Sequence, residues 1–441
     1  MSAPFFINSQ SVLLLGLIIT TIAAVQIPKC FNDVSGIYLR KFNTGNDYSL
    51  LFYFPLGGVL QLDSTAKLNS NQYFSDRIGF YNCSQSSNGG TKQMLRFNGI
   101  YFGESGNKSI GLTKSMSTCQ GASNDCSDDV VQCPKGNVST QFYKFEAPDP
   151  KTGVYTHPIP PKTNRQYQSQ RLYTHPTVTL TETRDTCYSK MGGIYVVRYA
   201  NGIYALVAFT PLGYLISVTS NKRNKDGTFN RGTSVGIWFC STTSQSMSGQ
   251  SNYFTYPANT QTKGQKMISS TFYIQCPSST SYDNCLGTQQ ELVSRLYVTP
   301  IIKSCHLTYS GIYSITITIT TPFKLTVQSV LILYRNGVVF GAGQNENEPQ
   351  NPTGNTLGTW QCTSKTITFK AIYIGYTSAT RTAPIFIATN NKLTCQQNTR
   401  CSGNYADNNY ALQLPLNGTF SNKPTASING TVTIRKLDYK E

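Results

Sequence analysis

Short stretches of alternating apolar and polar residues, broken by glycine and asparagine, run along the chain from Cys30 to its end. The run 314–320 reads S-I-T-I-T-I-T, which puts Ile315, Ile317 and Ile319 on one face of an extended strand and the threonines on the other. Thr366-Ile367-Thr368-Phe369-Lys370-Ala371 repeats the pattern. Asn-Gly pairs beginning at Asn88, Asn98, Asn201, Asn336, Asn417 and Asn429, together with Asp226-Gly227, predict hairpin turns, because the central residues of such turns need positive φ. No window outside the N-terminus carries a helical apolar stripe. The pattern predicts an all-β protein.

Two spacings recur along the chain. Cys-x5-Gly-Ile-Tyr occurs at Cys30 with Tyr38, Cys187 with Tyr195, and Cys305 with Tyr313. Gly-x-aromatic-x-Cys occurs at Gly79 with Tyr81 and Cys83, Gly236 with Trp238 and Cys240, and Gly358 with Trp360 and Cys362. The separations from first to second cysteine are 53, 53 and 57, and both tryptophans of the chain fall at the same point of the motif. The chain is therefore three tandem copies of one unit. Between the motifs each copy carries an apolar strand ending in a glycine turn: Phe54-Pro55-Leu56-Gly57, Phe209-Thr210-Pro211-Leu212-Gly213 and Tyr334-Arg335-Asn336-Gly337.

The units span 30–150, 187–300 and 305–441, each expected as a small antiparallel meander barrel or β-sandwich. Residues 151–186, rich in Pro, Thr and Gln, read as an extended linker. The short connection Pro300 to Ser304 predicts that the second and third units are packed together, and the long linker leaves the first as the mobile one.

Thirteen cysteines are three times four plus one. The spacing favours Cys187–Cys240 with Cys276–Cys285, and Cys305–Cys362 with Cys395–Cys401. Each long bridge would tie two strands of one core, and each short bridge would close a small loop. Four cysteines allow three connectivities, so these pairs are expectations. In the first unit Cys30 and Cys83 take the long-bridge positions. There Cys119 has two candidate partners: spacing points to Cys126, and alignment of the following strand (Phe142-Tyr143 against Leu296-Tyr297) points to Cys133. On a strand the aromatic and the cysteine of Gly-x-aromatic-x-Cys face the same side, so Tyr81, Trp238 and Trp360, with Tyr38, Tyr195 and Tyr313, are expected in the cores beside the disulfides.

Residues 12–25 (VLLLGLIITTIAAV) form a 14-residue apolar stretch with Ala23 and Ala24 near its end. That is short for a membrane span and fits an export signal over residues 1–26, although no Lys or Arg precedes it. Many cysteines with only 3 histidines fit the same secreted, disulfide-stapled class. Asn107, Asn137, Asn417 and Asn429 stand in Asn-x-Ser/Thr sequons and are glycan candidates in an exported chain.

The balance of 37 basic to 20 acidic residues gives a formal charge of +17, which favours acidic partners such as an anionic polysaccharide or a cell surface. The chain has no run of five Lys or Arg, and no nucleic-acid partner is expected. HExxH, GxSxG, Walker and GxGxxG motifs are absent from the sequence, and no acid, base or nucleophile is common to the three copies. No catalytic residue, metal site or cofactor is expected. His306, beside Cys305, reads as a packing residue, and the acids Asp125, Asp128 and Asp129 read as a solvated loop.

The order strand, turn, strand, then Gly-x-Trp distantly resembles calycin-type barrels, although there Gly-x-Trp opens the first strand and here Gly-Ile-Tyr does. That resemblance implies a ligand held inside a barrel. The sequence as a whole points first to a non-enzymatic secreted structural or adhesive glycoprotein that self-associates into a coat, matrix or filament. A secreted multivalent glycan- or ligand-binding protein, lectin-like or calycin-like, is the second expectation.

Overall fold

Eight strands close the first barrel in simple meander order: β1 (Gly36–Phe42), β2 (Tyr48–Tyr53), β3 (Gly58–Asp63), β4 (Arg77–Gln85), β5 (Gln93–Ser105), β6 (Asn107–Gln120), β7 (Gln132–Lys144) and β8 (Pro158–Thr174). The second unit opens with the short helix α1 (Cys187–Met191), followed by β9 (Gly193–Arg198), β10 (Tyr204–Phe209), β11 (Tyr214–Thr219), β12 (Phe229–Asn230), β13 (Thr233–Ser241), β14 (Ser246–Tyr256), β15 (Lys266–Gln275), β16 (Cys285–Gly287) and β17 (Leu292–Val298). Its nine strands form one sheet in which an extra β14–β15 pairing joins the flanks, so eight of them complete a circuit.

The third unit opens with α2 (Ser304–Tyr309). Its closed barrel is β18 (Gly311–Thr321), β19 (Leu325–Leu333), β20 (Val338–Gly343), β21 (Thr356–Cys362), β22 (Thr366–Tyr376), β23 (Pro384–Gln396), β24 (Arg400–Ala411) and β25 (Ala426–Lys436). This computed structural model describes residues 34–437 less the segments 44–47, 55–56, 64–75, 86–92, 106, 121–131, 145–157, 175–186, 220–228, 231–232, 242, 257–265, 278–281, 301–302, 344–354, 377–383 and 397–398. The export signal expected at 1–26 and Cys30 lie outside the described residues.

Three devices recur in the units and explain the repeated residues. The tyrosine of Gly-Ile-Tyr turns its hydroxyl back onto a carbonyl four residues upstream: Tyr38 to Val34 at 2.7 Å, Tyr195 to Met191 at 2.6 Å, Tyr313 to Tyr309 at 2.6 Å. The aromatic of the second motif then seals the glycine turn. Tyr81 Oη donates to the Phe54 carbonyl at 2.9 Å, while Trp238 Nε1 and Trp360 Nε1 donate to Thr210 at 2.9 Å and to Tyr334 at 2.8 Å. The backbone N–H of each of these aromatics donates to the turn glycine, which has positive φ in all three units (Gly57 89°, Gly213 77°, Gly337 79°). A buried ring that carries one hydrogen-bond donor thus adds a second bond to a turn carbonyl that already accepts from the turn glycine's N–H.

The third device is the disulfide pair. Cys187–Cys240 and Cys305–Cys362 tie each opening helix to the strand of the second motif, and Cys276–Cys285 and Cys395–Cys401 staple adjoining strands. The glycine of the second motif has its own cause. A Cβ on Gly236 or Gly358 would run into the carbonyl of Gln250 or Lys370 on the next strand.

Several expectations need correction. Residues 158–174 of the expected linker are strand β8, which pairs with both β7 and β1 and closes the first barrel. Although proline suits extended backbone, here that backbone is a ladder strand. Asn98-Gly99 and Asn429-Gly430 are not turns either, since Asn98 pairs with Phe80 and Lys114 inside β5, and Asn429 with Ala406 inside β25. The pairs at Asn201, Asn336 and Asn417 do form turns, while those at Asn88 and Asp226 lie outside the described residues.

The first unit is not a separate mobile bead. Outward-facing side chains of all three barrels meet in one apolar core that includes Ile37, Phe52 and Phe54, then Leu206 and Tyr214, then Ile332 and Tyr334. The rings Phe52–Tyr214 and Phe54–Tyr334 lie 4.4 and 4.2 Å apart, and Tyr204–Phe386 5.6 Å. This junction is also pinned by one amide. Asn355 Nδ2 of the third unit donates to Asp76 Oδ2 of the first at 2.6 Å and to Thr233 Oγ1 of the second at 2.7 Å, with all three residues buried.

Candidate functional site

Each barrel has its own interior, distinct from the shared junction. In the second barrel Tyr195, Phe209, Trp238, Met247 and Ile274 fill it around the disulfide cysteines. In the third, Tyr313, Leu331, Trp360, Phe369, Leu393 and Ile434 do the same. The expected aromatics Tyr38, Tyr81, Tyr195, Trp238, Tyr313 and Trp360 are all buried there, at no more than 2% exposure. At the junction a cavity of about 10 Å³, lined by Phe54, Phe80, Leu212 and Tyr334, has room for roughly one water molecule.

Cys305, His306 and Cys362 bring their ligand-type atoms within 4.8 Å of one another, but the two sulfurs are joined as a disulfide and offer no thiolate to a metal. His306 is fully buried beside Trp360, its ring 4.5 Å from the indole. Nδ1 accepts from the Lys303 N–H at 2.9 Å, so the proton sits on Nε2, which faces the Trp360 carbonyl at 3.3 Å. Burial lowers its pKa below 6.5. The histidine caps α2 and packs the core.

Among the described residues, the first and third interiors each hold an Arg or Asp side chain at an inward strand position. Counting from the shared glycine, Arg40 of the first barrel stands where the others have Val197 and Ile315. Its side chain is fully buried, with the guanidinium carbon 3.7 Å from the centre of the Tyr167 ring, and Nη1 reaches Gln61 Oε1 at 3.4 Å. In the third barrel Asp407, 2% exposed, stands two residues from Tyr405 on β24 and so faces inward. Its Oδ2 accepts from Tyr373 Oη at 2.6 Å and from Tyr405 Oη. Sequence reasoning passed over both residues, yet each interrupts the inward apolar positions of its strand, and that was the available signal.

Burial is the largest influence on Asp407 and pushes its pKa above 3.8, against the lowering effect of the Tyr373, Tyr405 and Thr389 hydroxyls. An acid whose folded pKa is raised binds its proton more tightly in the folded state. Its contribution to stability is therefore fullest below the ordinary value and is lost as pH rises through the folded one. Asp407→Asn keeps an oxygen for the tyrosines and removes the titration. The variant is expected to gain on the wild type between about pH 4 and about pH 7, by about 1.4 kcal/mol per unit of raised pKa. Denaturant unfolding at the two pH values checks this, and the titration of His306, common to both proteins, cancels.

Cys126 lies outside the described residues, and only the backbone of Cys119 and Cys133 is described. In the register Thr118 faces Lys135 and Gln120 faces Gln132, which places Cys119 and Cys133 at neighbouring positions on β6 and β7. Cys395 and Cys401 occupy the matching place in the third unit and face each other directly. Cys83, in β4, is disulfide-bonded.

Of the sequon residues, Asn137, Asn417 and Asn429 are exposed, and Asn107 stands where β6 begins. Asn417 sits in a tight turn whose backbone N–H is held by Asp283 Oδ2 of the second unit at 2.9 Å. His157, His175, Asp125, Asp128 and Asp129 lie outside the described residues. Among the described residues no helix is long and apolar enough to cross a membrane.

No protein-family model and no curated protein matches the chain. Among solved structures, a double mutant of the vaccine antigen Transferrin Binding Protein B (TbpB) from Haemophilus parasuis Hp5 aligns at 9% identity over 86% of this chain and 69% of that chain, with a TM-score of 0.17. That superposition is too loose to carry an argument.

Proposed function

We propose that this is a non-enzymatic, secreted structural or adhesive glycoprotein that acts through its outer surfaces in an extracellular coat, matrix or filament. The observation that carries the reading is what fills the barrels: the second and third interiors are packed by the repeated aromatics and disulfides themselves, so the repeat builds scaffold. A calycin-like protein would instead keep an open cup for its ligand. Disulfides in every unit suit an oxidising compartment. Fusion of three barrels about one core gives a rigid block with several faces, which suits self-association or multivalent attachment to an anionic polysaccharide or cell surface. Glycans on the exposed Asn137 and Asn417 belong to the same reading.

Electron microscopy with light scattering, on protein secreted natively and never reduced, tests it. Regular polymers or concentration-dependent oligomers are expected. Dispersed single particles at all concentrations would overturn the assembly reading and turn attention to the soluble ligand-binding one.

A further inference from the structure

The outer wall of the third barrel changes character along its strands. On β22 the outward side chains run Thr366, Thr368, Lys370, then Ile372 and Ile374. The last two enter the junction core, and the first three do not. On β23 the outward series is Phe386 in the core, then Asn390, Lys392, Thr394 and Gln396, all four exposed. Next to it β24 exposes Arg400, Ser402 and Asn404, and β25 exposes Asn429 and Thr431. The register aligns these into rows, such as Thr366–Thr394–Ser402–Thr433–Thr316 across five strands. A half-buried sheet needs a polar outer face, and that accounts for the threonines. It does not account for the charges.

Residues 304–437 include nine described Lys and Arg side chains against one described carboxylate, Asp407, which faces inward and is 2% exposed. Glu346 and Glu348 of the same stretch lie outside the described residues. On the wall itself, Lys370 and Lys392 lie diagonally across β22 and β23, and Arg400 stands exposed on β24. Like charges on neighbouring strands of one face work against the sheet. A polyanion laid over the wall would reverse that repulsion, and hydroxyl and amide side chains between the cations suit a hydroxyl-rich ligand.

We infer that the β22–β25 wall of the third barrel docks an anionic polysaccharide, with Lys370, Lys392 and Arg400 as its principal cations. The inference deepens the adhesive reading by naming the face and the class of partner. Asn429 stands on this face, so its sequon bears on access, and the test is made in an Asn429→Gln background.

The full-length secreted protein, at concentrations where light scattering finds no oligomer, is passed over heparin-agarose and over neutral dextran, and eluted with NaCl. Retention on the anionic resin with salt-dependent elution is expected, with none on dextran. Lys370→Glu, Lys392→Glu and Arg400→Glu together are expected to lower affinity at least about tenfold. A matched charge change elsewhere, Lys41→Glu, Lys190→Glu and Arg198→Glu, is expected to lower it only slightly. Circular dichroism and melting establish that both triples fold. Equal losses in the two triples would overturn the assignment in favour of general basicity. Lack of retention at low salt, equal binding of double-stranded DNA, or binding to neutral dextran would also overturn it. A wall variant that still polymerises would leave the assembly reading intact while this one is judged separately.

Discussion

Reduction of the disulfides is expected to unfold this protein or bring it close to unfolding near room temperature. Cys187–Cys240 and Cys305–Cys362 close loops of 53 and 57 residues, and Cys276–Cys285 and Cys395–Cys401 loops of 9 and 6. On the chain-entropy model a long bridge contributes about 4 kcal/mol and a short one about 2–2.5 kcal/mol. Per unit this is comparable with the roughly 5–15 kcal/mol that separates a folded domain from its unfolded state. All four bridges border the cores, with Cys276, Cys285, Cys362 and Cys401 buried in them and Cys187, Cys240, Cys305 and Cys395 packed against them, so losing any one removes packing as well as the chain constraint. Replacing Cys305 and Cys362 by Ala is therefore expected to cost about 4 kcal/mol or more, and replacing Cys395 and Cys401 about half that. Denaturant unfolding of the two variants and of the reduced wild type, followed by Trp fluorescence, checks the order. Equal losses would show that loop length does not govern these bridges.

The repeat made much of this fold legible. Cys, Gly and aromatic residues at fixed spacing could be read as scaffold because each has one physical job: a turn with positive φ, a ring that seals it, a bridge beside the ring. Alternation in Ser314–Thr320 showed a strand for the same reason, since one face meets a core and the other water. What stayed hidden was whatever departs from a half-buried strand. Tyr204–Phe209 and Val330–Leu333 are unbroken apolar runs because their second face meets another barrel, and such runs carry no alternation to read. Strand β8 was masked by its prolines, which suit extended backbone whether or not it is paired. Asn355 gave no sign at all, because its two partners lie 279 and 122 residues away in sequence. Arg40 and Asp407 were visible only as exceptions to a pattern that first had to be aligned across the copies.

Tyr334→Ala is expected to cost about 3–5 kcal/mol, although the residue belongs to no barrel interior. Its ring is 2% exposed, packs 4.2 Å from Phe54 of the first unit, and covers Gly58, where a Cβ would collide with it. Truncation leaves a hole between two barrels whose β-ladders are closed and cannot move in to fill it, so relaxation recovers little of the loss. The hydroxyl behaves oppositely to the ring. Among the described residues no protein group pairs with the buried Tyr334 Oη, so Tyr334→Phe removes a polar atom without a protein partner and keeps the packing. That variant is expected to match the wild type or exceed it by about 1 kcal/mol. Calorimetry of the pair separates the contributions. If the barrels share one core, the Ala variant lowers the main transition and splits it, because the first unit loses its hold on the third while its own interior is untouched. If the Ala variant instead melts like the wild type, the three outer faces are merely adjacent, and each barrel carries its stability alone.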